Sequence, residues 1–342
     1  MNPARGRIGA LALALLAAAS LAACGHKAEA RGPAVEGPIH VVAAPLPLDP
    51  KDPRHERLGD FQFAGALQLT SPDTGLFGGF SDLKVADDGS FVSESDEGSV
   101  MRGRIVLGPD GRLAGVSETR IVRLKGLDGR PLDGKHEADS EGVGLWPNGD
   151  LMVSFERDHR IWIYPAAGGP PHAAPRPQTP MPDNEGMEGL ALAPREGPDA
   201  YWVGIEGGDI WLCHLAATCA KAPGQLPPRP GYRLPALFEM PTGDLVVEHH
   251  HWDPVTGTHL TVNVIDNPAT NPRPRVKAQL ALATPLTVDN IEGVAVVPRP
   301  GGAWRFYLIS DDNFSPDQRT LLMAFDWTPG AGTAGGGKAG KR

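Results

Sequence analysis

The chain has 342 residues, of which 43 are glycine and 35 proline, and its 41 acidic against 32 basic side chains leave a net charge of −9. That balance, with no basic cluster outside the two termini, argues against a nucleic-acid partner and is compatible with cation binding. Frequent turn formers, short alternating apolar runs and the lack of a long amphipathic helical period exclude a helical bundle and point to an all-β fold.

In chain order, residues 1–23 read as an export signal. Arg5 and Arg7 precede an apolar stretch, Ile8 to Leu21, too short and wrongly flanked to span a membrane. Leu21-Ala22-Ala23-Cys24 resembles the bacterial lipobox, which implies lipidation at Cys24 and a chain anchored to a membrane rather than crossing it. An ordinary signal peptide cut nearby is the alternative. The expected location is the cell envelope, at the outer membrane and periplasm in a Gram-negative host, because Gly25 and His26 follow the cysteine where an aspartate would retain it. Residues 24–60, rich in Pro, Ala, Gly and charge, are expected to be a flexible tether, and residues 329–342 a disordered tail. Residues 61–328 then form one domain.

Within that domain one pattern repeats. Val143 and Leu145 share a strand face, Pro147-Asn148-Gly149 supplies a turn, Leu151, Val153 and Phe155 share a face, and Ile161 and Ile163 begin a third strand. Met187 to Leu192 leading to Tyr201 to Glu206, and Ile291 to Val296 leading to Tyr307 to Asp311, repeat it. Weaker copies run from Phe80 to Glu94 and from Pro235 to Glu248. The spacing, roughly 50 to 60 residues, is that of a four-stranded propeller blade. Five copies are visible, and a sixth blade is expected from pairing of a strand near Phe61 to Leu69 with the last strand, Leu321 to Trp327. The expectation is a six-bladed β-propeller acting as a monomer. Cys213 and Cys219 are expected to pair as a disulfide in an oxidising compartment, with two free thiols as the alternative.

Acid gathers at the ends of these hairpins: Asp82, Glu94, Glu141, Glu156, Glu188, Glu206, Glu248, Glu292 and Asp311. The first-strand set, Glu141, Glu188 and Glu292, is expected to converge on the channel mouth, where like charges require either protonation or cations. Hard oxygen donors suit calcium, so Glu141, Glu156, Glu188, Glu206, Glu292 and Asp311 are the candidate metal ligands. The bland alternative is that these carboxylates cap strand ends. Arg157 and Arg319 are candidate contacts to a substrate anion. His249-His250-His251 does not suit a single metal site, because alternate strand residues face opposite ways.

The order Asp139-Ser140-Glu141-Gly142, Asn184-Glu185-Gly186-Met187-Glu188-Gly189, Asn290-Ile291-Glu292-Gly293 and Ile309-Ser310-Asp311-Asp312-Asn313-Phe314 resembles the bacterial phytase-like proteins known as "esterase-like activity of phytase". The similarity runs from about Leu76 to Trp327. It implies a propeller and a hydrolase, with divalent-metal dependence suggested by calcium-dependent propeller phytases. Glu141, Glu188, Glu292 and Asp311 would then carry catalysis on a small ester or phosphoester, without a covalent nucleophile. No Gly-x-Ser-x-Gly elbow is present, and in Arg229-Pro230-Gly231-Tyr232-Arg233-Leu234-Pro235 a proline stands where histidine acid phosphatases keep their nucleophile. A calcium-dependent lactonase-like propeller, using an asparagine such as Asn184 or Asn290, and a non-catalytic ligand-binding lipoprotein stay open as alternatives.

Overall fold

The computed structural model describes residues 31–330. The signal segment, Cys24 and residues 331–342 lie outside the described residues. Among those described, no helix is long and apolar enough to cross a membrane.

The stretch around Asp139 folds as its alternation dictates. Ser140–Leu145 pairs antiparallel with Leu151–Phe155, with Leu145 opposite Leu151, and Arg160–Tyr164 and His172–Ala174 follow as third and fourth strands. The connecting turn closes where Gly149 takes a positive φ of 91° and Asn148 Oδ1 accepts from the Asp150 amide at 3.0 Å. Four further sheets share this antiparallel meander. Their first strands are Phe80–Val85, Met187–Leu192, Leu237–Glu239 and Asn290–Arg299. The first strand of each sheet packs on that of the next, and the last packs on the first, which closes a ring. Numbered from Phe80–Val85, these are blades 1 to 5.

The count is therefore five blades rather than the expected six. Phe61–Thr70 does pair with Leu321–Trp327, as the sequence suggests, but this pairing completes blade 5 and founds no new one. The sixth blade was expected because the N-terminal strand was counted apart from the copy at Ile291, whose fourth strand it supplies. Phe61, Phe306 and Trp327 pack edge-to-face and stacked at this closure, with centroids 5.2 to 6.3 Å apart.

Part of the supposed tether is also folded. Gly37–Pro38 pairs with Leu113–Arg123 on the outer edge of blade 1, and Val42–Leu46 pairs with Phe61–Thr70 on blade 5. Such strands show little alternation in sequence because they are solvent-facing; Val42–Leu46 buries none of its five residues fully. They cover backbone groups that would otherwise leave open sheet edges.

The core is divided as the blades are. Five apolar clusters occur among the described residues, one for each blade interface, such as Val92, Val100 and Leu124 against Val143, Val153 and Phe155 between blades 1 and 2. Each blade is thus held by its neighbours, and the channel-facing ends of the inner strands are left free to carry polar groups.

Candidate metal centre at the channel mouth

The repeated Glu-Gly pairs mark a β-bulge. In blade 2 the register runs Gly142 opposite Ser154, then slips, and the Glu156 amide donates to the Asp139 carbonyl at 2.8 Å. The slip recurs between Met187 and Gly189, between Ile291 and Gly293, and between Phe80 and Asp82. The extra residue is Glu141, Glu188, Glu292 and, in blade 1, Ser81. A bulge leaves its extra residue unpaired and re-aims the side chain, which is how three glutamates are turned out of the sheet at the mouth. The following glycine is required by close approach. A Cβ on Gly142 would lie 2.4 Å from the Glu188 carbonyl oxygen, and one on Gly293 2.7 Å from the Leu83 amide, each on the next blade.

Equivalent hydrogen bonds align the second strands. The amides of Asp96, Glu156, Glu206 and His250 donate to Gly79, Asp139, Gly186 and Arg233, and Asp311 pairs with Asn290. The rim position is therefore Asp96, Glu156, Glu206, His250 and Asp311 around the five blades. Glu94 and Glu248, expected at that rim, lie two residues deeper along their strands. Asp82 sits not at the bulge but at the glycine position, where Oδ2 accepts from the Val143 amide of blade 2 at 3.0 Å. Alternation sets these three residues one or two positions off: residues two apart on a strand share a face, so Glu94 and Glu248 match the period of the rim residues Asp96 and His250, and the bulge at Ser81 adds a residue that the period does not register.

Two layers of acid result. At the mouth, carboxylate oxygens of Asp139, Glu141 and Glu156 come within 4.8 Å of one another, as do those of Glu156, Glu188 and Glu206. Glu156 is shared. Glu292 lies outside both trios but within reach of the charges of Asp311 and Glu188, which add to the effect of its burial. Burial first, then neighbouring carboxylates, raises Glu141, Glu188 and Glu292 well above the usual carboxylate range. The same causes bring Glu156 to about 7 and Asp311 to about 8.

Below the rim lie Asp82, Lys84, Glu94 and Glu248. Lys84 Nζ lies 2.5 Å from Asp82 Oδ2 and reaches across to the Leu237 carbonyl of blade 4 at 3.4 Å. Glu94 and Glu248 are wholly buried and neither has a hydrogen-bond partner on either oxygen. Their burial, with Asp82 as the nearest like charge, pushes both carboxyls strongly upward.

Cations are already committed at the mouth. Arg157 Nε lies 2.6 Å from Asp139 Oδ2, Lys135 bridges Asp139 and Asp96, and Arg233 Nε lies 2.9 Å from Glu206 Oε1. Asp139 and Lys135 escaped the candidate list because neither belongs to the repeated strand pattern. Doubly paired, Asp139 is a poor metal ligand, so the trio Glu156, Glu188 and Glu206 is the better fit for a cation. Glu206 keeps Oε2 buried and without a hydrogen-bond partner, a lack that a bound cation would satisfy. The donors are all hard oxygens, as calcium prefers.

The remaining candidates are elsewhere engaged. Arg319 donates to Asp289 Oδ2 at 3.1 Å and to the Val288 carbonyl at 3.2 Å, so it braces blade 5. Cys213 and Cys219 are joined in a disulfide. The three histidines are spread along one strand and have different partners: His249 lies beside Asn263, His250 takes the rim position, and His251 packs at a tilt on Tyr232 with centroids 5.0 Å apart.

Among solved structures, the chain resembles the tail fibre of Staphylococcus aureus phage P68 at 10% identity and TM-score 0.42, covering 77% of this chain and 54% of that one, about half its length. The Malassezia sympodialis allergen Mala s 1 matches at 12% identity and TM-score 0.42 over 84% of this chain and 96% of the other. A streptogramin B lyase matches at 10% identity and TM-score 0.40 over 85% and 87%. No curated protein matches. The family comparison is specific where these are not: the phytase-like model, "Esterase-like activity of phytase", matches residues 75–314, which takes in all the mouth carboxylates, and the chain belongs to that family.

Proposed function

We propose that this propeller is a calcium-dependent hydrolase of phosphate esters or simple esters, working at the channel mouth. The observation that carries the reading is the Glu156, Glu188 and Glu206 trio, within 4.8 Å, with Glu206 Oε2 unpartnered. Calcium, when bound there, supplies the positive charge that polarises an ester oxygen and acidifies a nearby water. Arg233 fixes Glu206 through Oε1 and leaves the other oxygen for the cation. Arg157 and Lys135 hold Asp139 and keep it out of the ligand set. Glu141 and Glu292, turned outward by their bulges, would take up the proton that the attacking water releases once a bound cation has drawn their carboxyls back to the ionised form. Family membership supports a hydrolytic reaction without choosing the substrate.

A lactonase-like reaction is the second reading, favoured by Asn290, whose Nδ2 donates to Glu292 Oε1 at 2.7 Å and so leaves its carbonyl oxygen free to join a metal site. Phytate, an aryl phosphate, an aryl ester and a lactone should be tested with calcium and after chelation, in wild type and Glu188→Gln. Turnover that requires calcium and falls at least tenfold in the variant is expected, since even outer-shell changes typically cost about 10–100-fold. Folded protein inactive on all four substrates would refute the hydrolase reading. Export and lipidation at Cys24 belong to the same proposal, which expects fatty-acid labelling in the cell to be abolished by Cys24→Ala.

A further inference from the structure

Blade 4 breaks the pattern of the other four at the mouth. Its second strand, Leu245–Asp253, runs on past the rim residue His250 and hairpins into Gly257–Ile265, whereas Ser90–Ser95, Leu151–Phe155, Ala200–Ile205 and Ala303–Asp311 stop at or before their rim residues. Its bulge position is Pro235 and its rim position His250, so here the acidic ring is interrupted. The extra length of this hairpin forms one wall of a cleft of about 890 Å³, whose other side includes Asn290, Glu292, Asn313 and Asp317 of blade 5. That volume falls within the roughly 300–1,000 Å³ of small-molecule sites. Glu292 belongs to both cleft and mouth, and Arg233, the ion-pair partner of Glu206, also lines the cleft, so the cleft borders the mouth.

We infer that this cleft binds an uncharged, polyhydroxylated ring, a sugar or a cyclic polyol, and that on the hydrolase reading above it takes the alcohol part of the ester. Trp252 lines the cleft and is 61% exposed, offering an apolar indole surface to a ring's C–H groups. His250, only 8% exposed, also lines it, and its Nε2 has no hydrogen-bond partner, a demand that a ligand hydroxyl meets from either tautomer. Asn290, Asn313, Asp317 and Glu292 add the mixed donors and acceptors that adjacent hydroxyls match. The charge of the lining argues against a polyanion. Arg233 is its one guanidinium among the described residues and is already paired with Glu206, whereas Asp289, Glu292 and Asp317 contribute three carboxyl groups. Among the described residues, a highly phosphorylated ring would meet no uncommitted guanidinium or ammonium group in this cleft.

The test is binding, measured by saturation-transfer NMR and calorimetry in chelator, with myo-inositol and methyl glucoside as neutral probes and inositol hexakisphosphate as the polyanion. Neutral rings are expected to bind with millimolar Kd, to weaken at least tenfold in Trp252→Ala, and to change less than twofold in Leu127→Ala, an exposed apolar side chain outside the cleft. Trp252 is a surface side chain, so the variant tests contact rather than folding. Failure of both neutral rings to bind wild type, no effect of Trp252→Ala, or tighter binding of the hexakisphosphate would each overturn the inference. Ring binding without any hydrolysis would remove the hydrolase reading alone. Ester hydrolysis without ring binding would remove this inference alone.

Discussion

Replacing Gly142 by alanine puts a methyl group into space that blade 3 occupies. The added Cβ would stand 2.4 Å from the Glu188 carbonyl oxygen, 2.7 Å from Leu190 Cβ and 2.8 Å from Ser154 Oγ. The first obstacle is backbone and the second is attached directly to it, so the strain cannot be relieved by rotating a side-chain end. Overpacking of this kind costs about 1–3 kcal/mol, and the rigid neighbours place Gly142→Ala toward the upper end. The control lies two residues along the same strand. A Cβ on Gly144 comes no closer than 3.3 Å, to Leu192 Cδ2, which can move, and Gly144→Ala should cost less than about 1 kcal/mol. Urea denaturation measures both as shifts in midpoint at unchanged slope. Because the clash displaces Glu188 itself, calcium affinity should fall in Gly142→Ala and hold in Gly144→Ala. Equal stability of the two variants would refute the view that the Glu-Gly repeat exists to bring inner strands into contact.

The raised carboxyls set a pH dependence. Glu156 titrates at about 7 in the folded protein against 4.5 as its ordinary value, and Asp311 at about 8 against 3.8. The native state therefore holds protons that the unfolded chain releases, so without calcium stability should be highest near pH 4 and fall as pH rises toward 8. Thermal melts in chelator check this; in calcium at 100 times its Kd, about 2.7 kcal/mol should be regained near pH 8, and a flat profile in chelator would contradict the shifts. Converting Cys213 and Cys219 to serine opens a loop of sequence separation 6, for which the loop-closure term predicts a loss of about 2 kcal/mol, measurable by urea titration. A chain beginning at residue 72 lacks Phe61–Thr70, leaves the edge of Leu321–Trp327 unpaired, and should aggregate or fail to fold by circular dichroism and size exclusion.

Much of the molecule is determined by local pattern. Alternation around Val143, Val153 and Ile161, turn chemistry at Pro147 to Gly149, and the recurrence of both at Ala191 and Ala295 suffice for an all-β propeller, because a period of two and a turn are properties of neighbouring residues. The Glu-Gly repeat and the Asp311-Asp312-Asn313 segment likewise suffice for the family, and two close cysteines for the disulfide. What the tertiary structure decided was everything that depends on register and closure. The pairing of Phe61–Thr70 with Leu321–Trp327 is legible, but only the further pairing of Leu321–Trp327 with Ala303–Asp311 shows that it completes blade 5 and that the ring closes at five, since two distant strands carry no mark of which sheet they complete. Only the bulges show that Glu141, Glu188 and Glu292 turn outward while Asp82 stays below the rim, because one inserted residue reverses the face of every residue beyond it. His250 in the acidic ring, and the cleft beside it, follow from that same register in three dimensions.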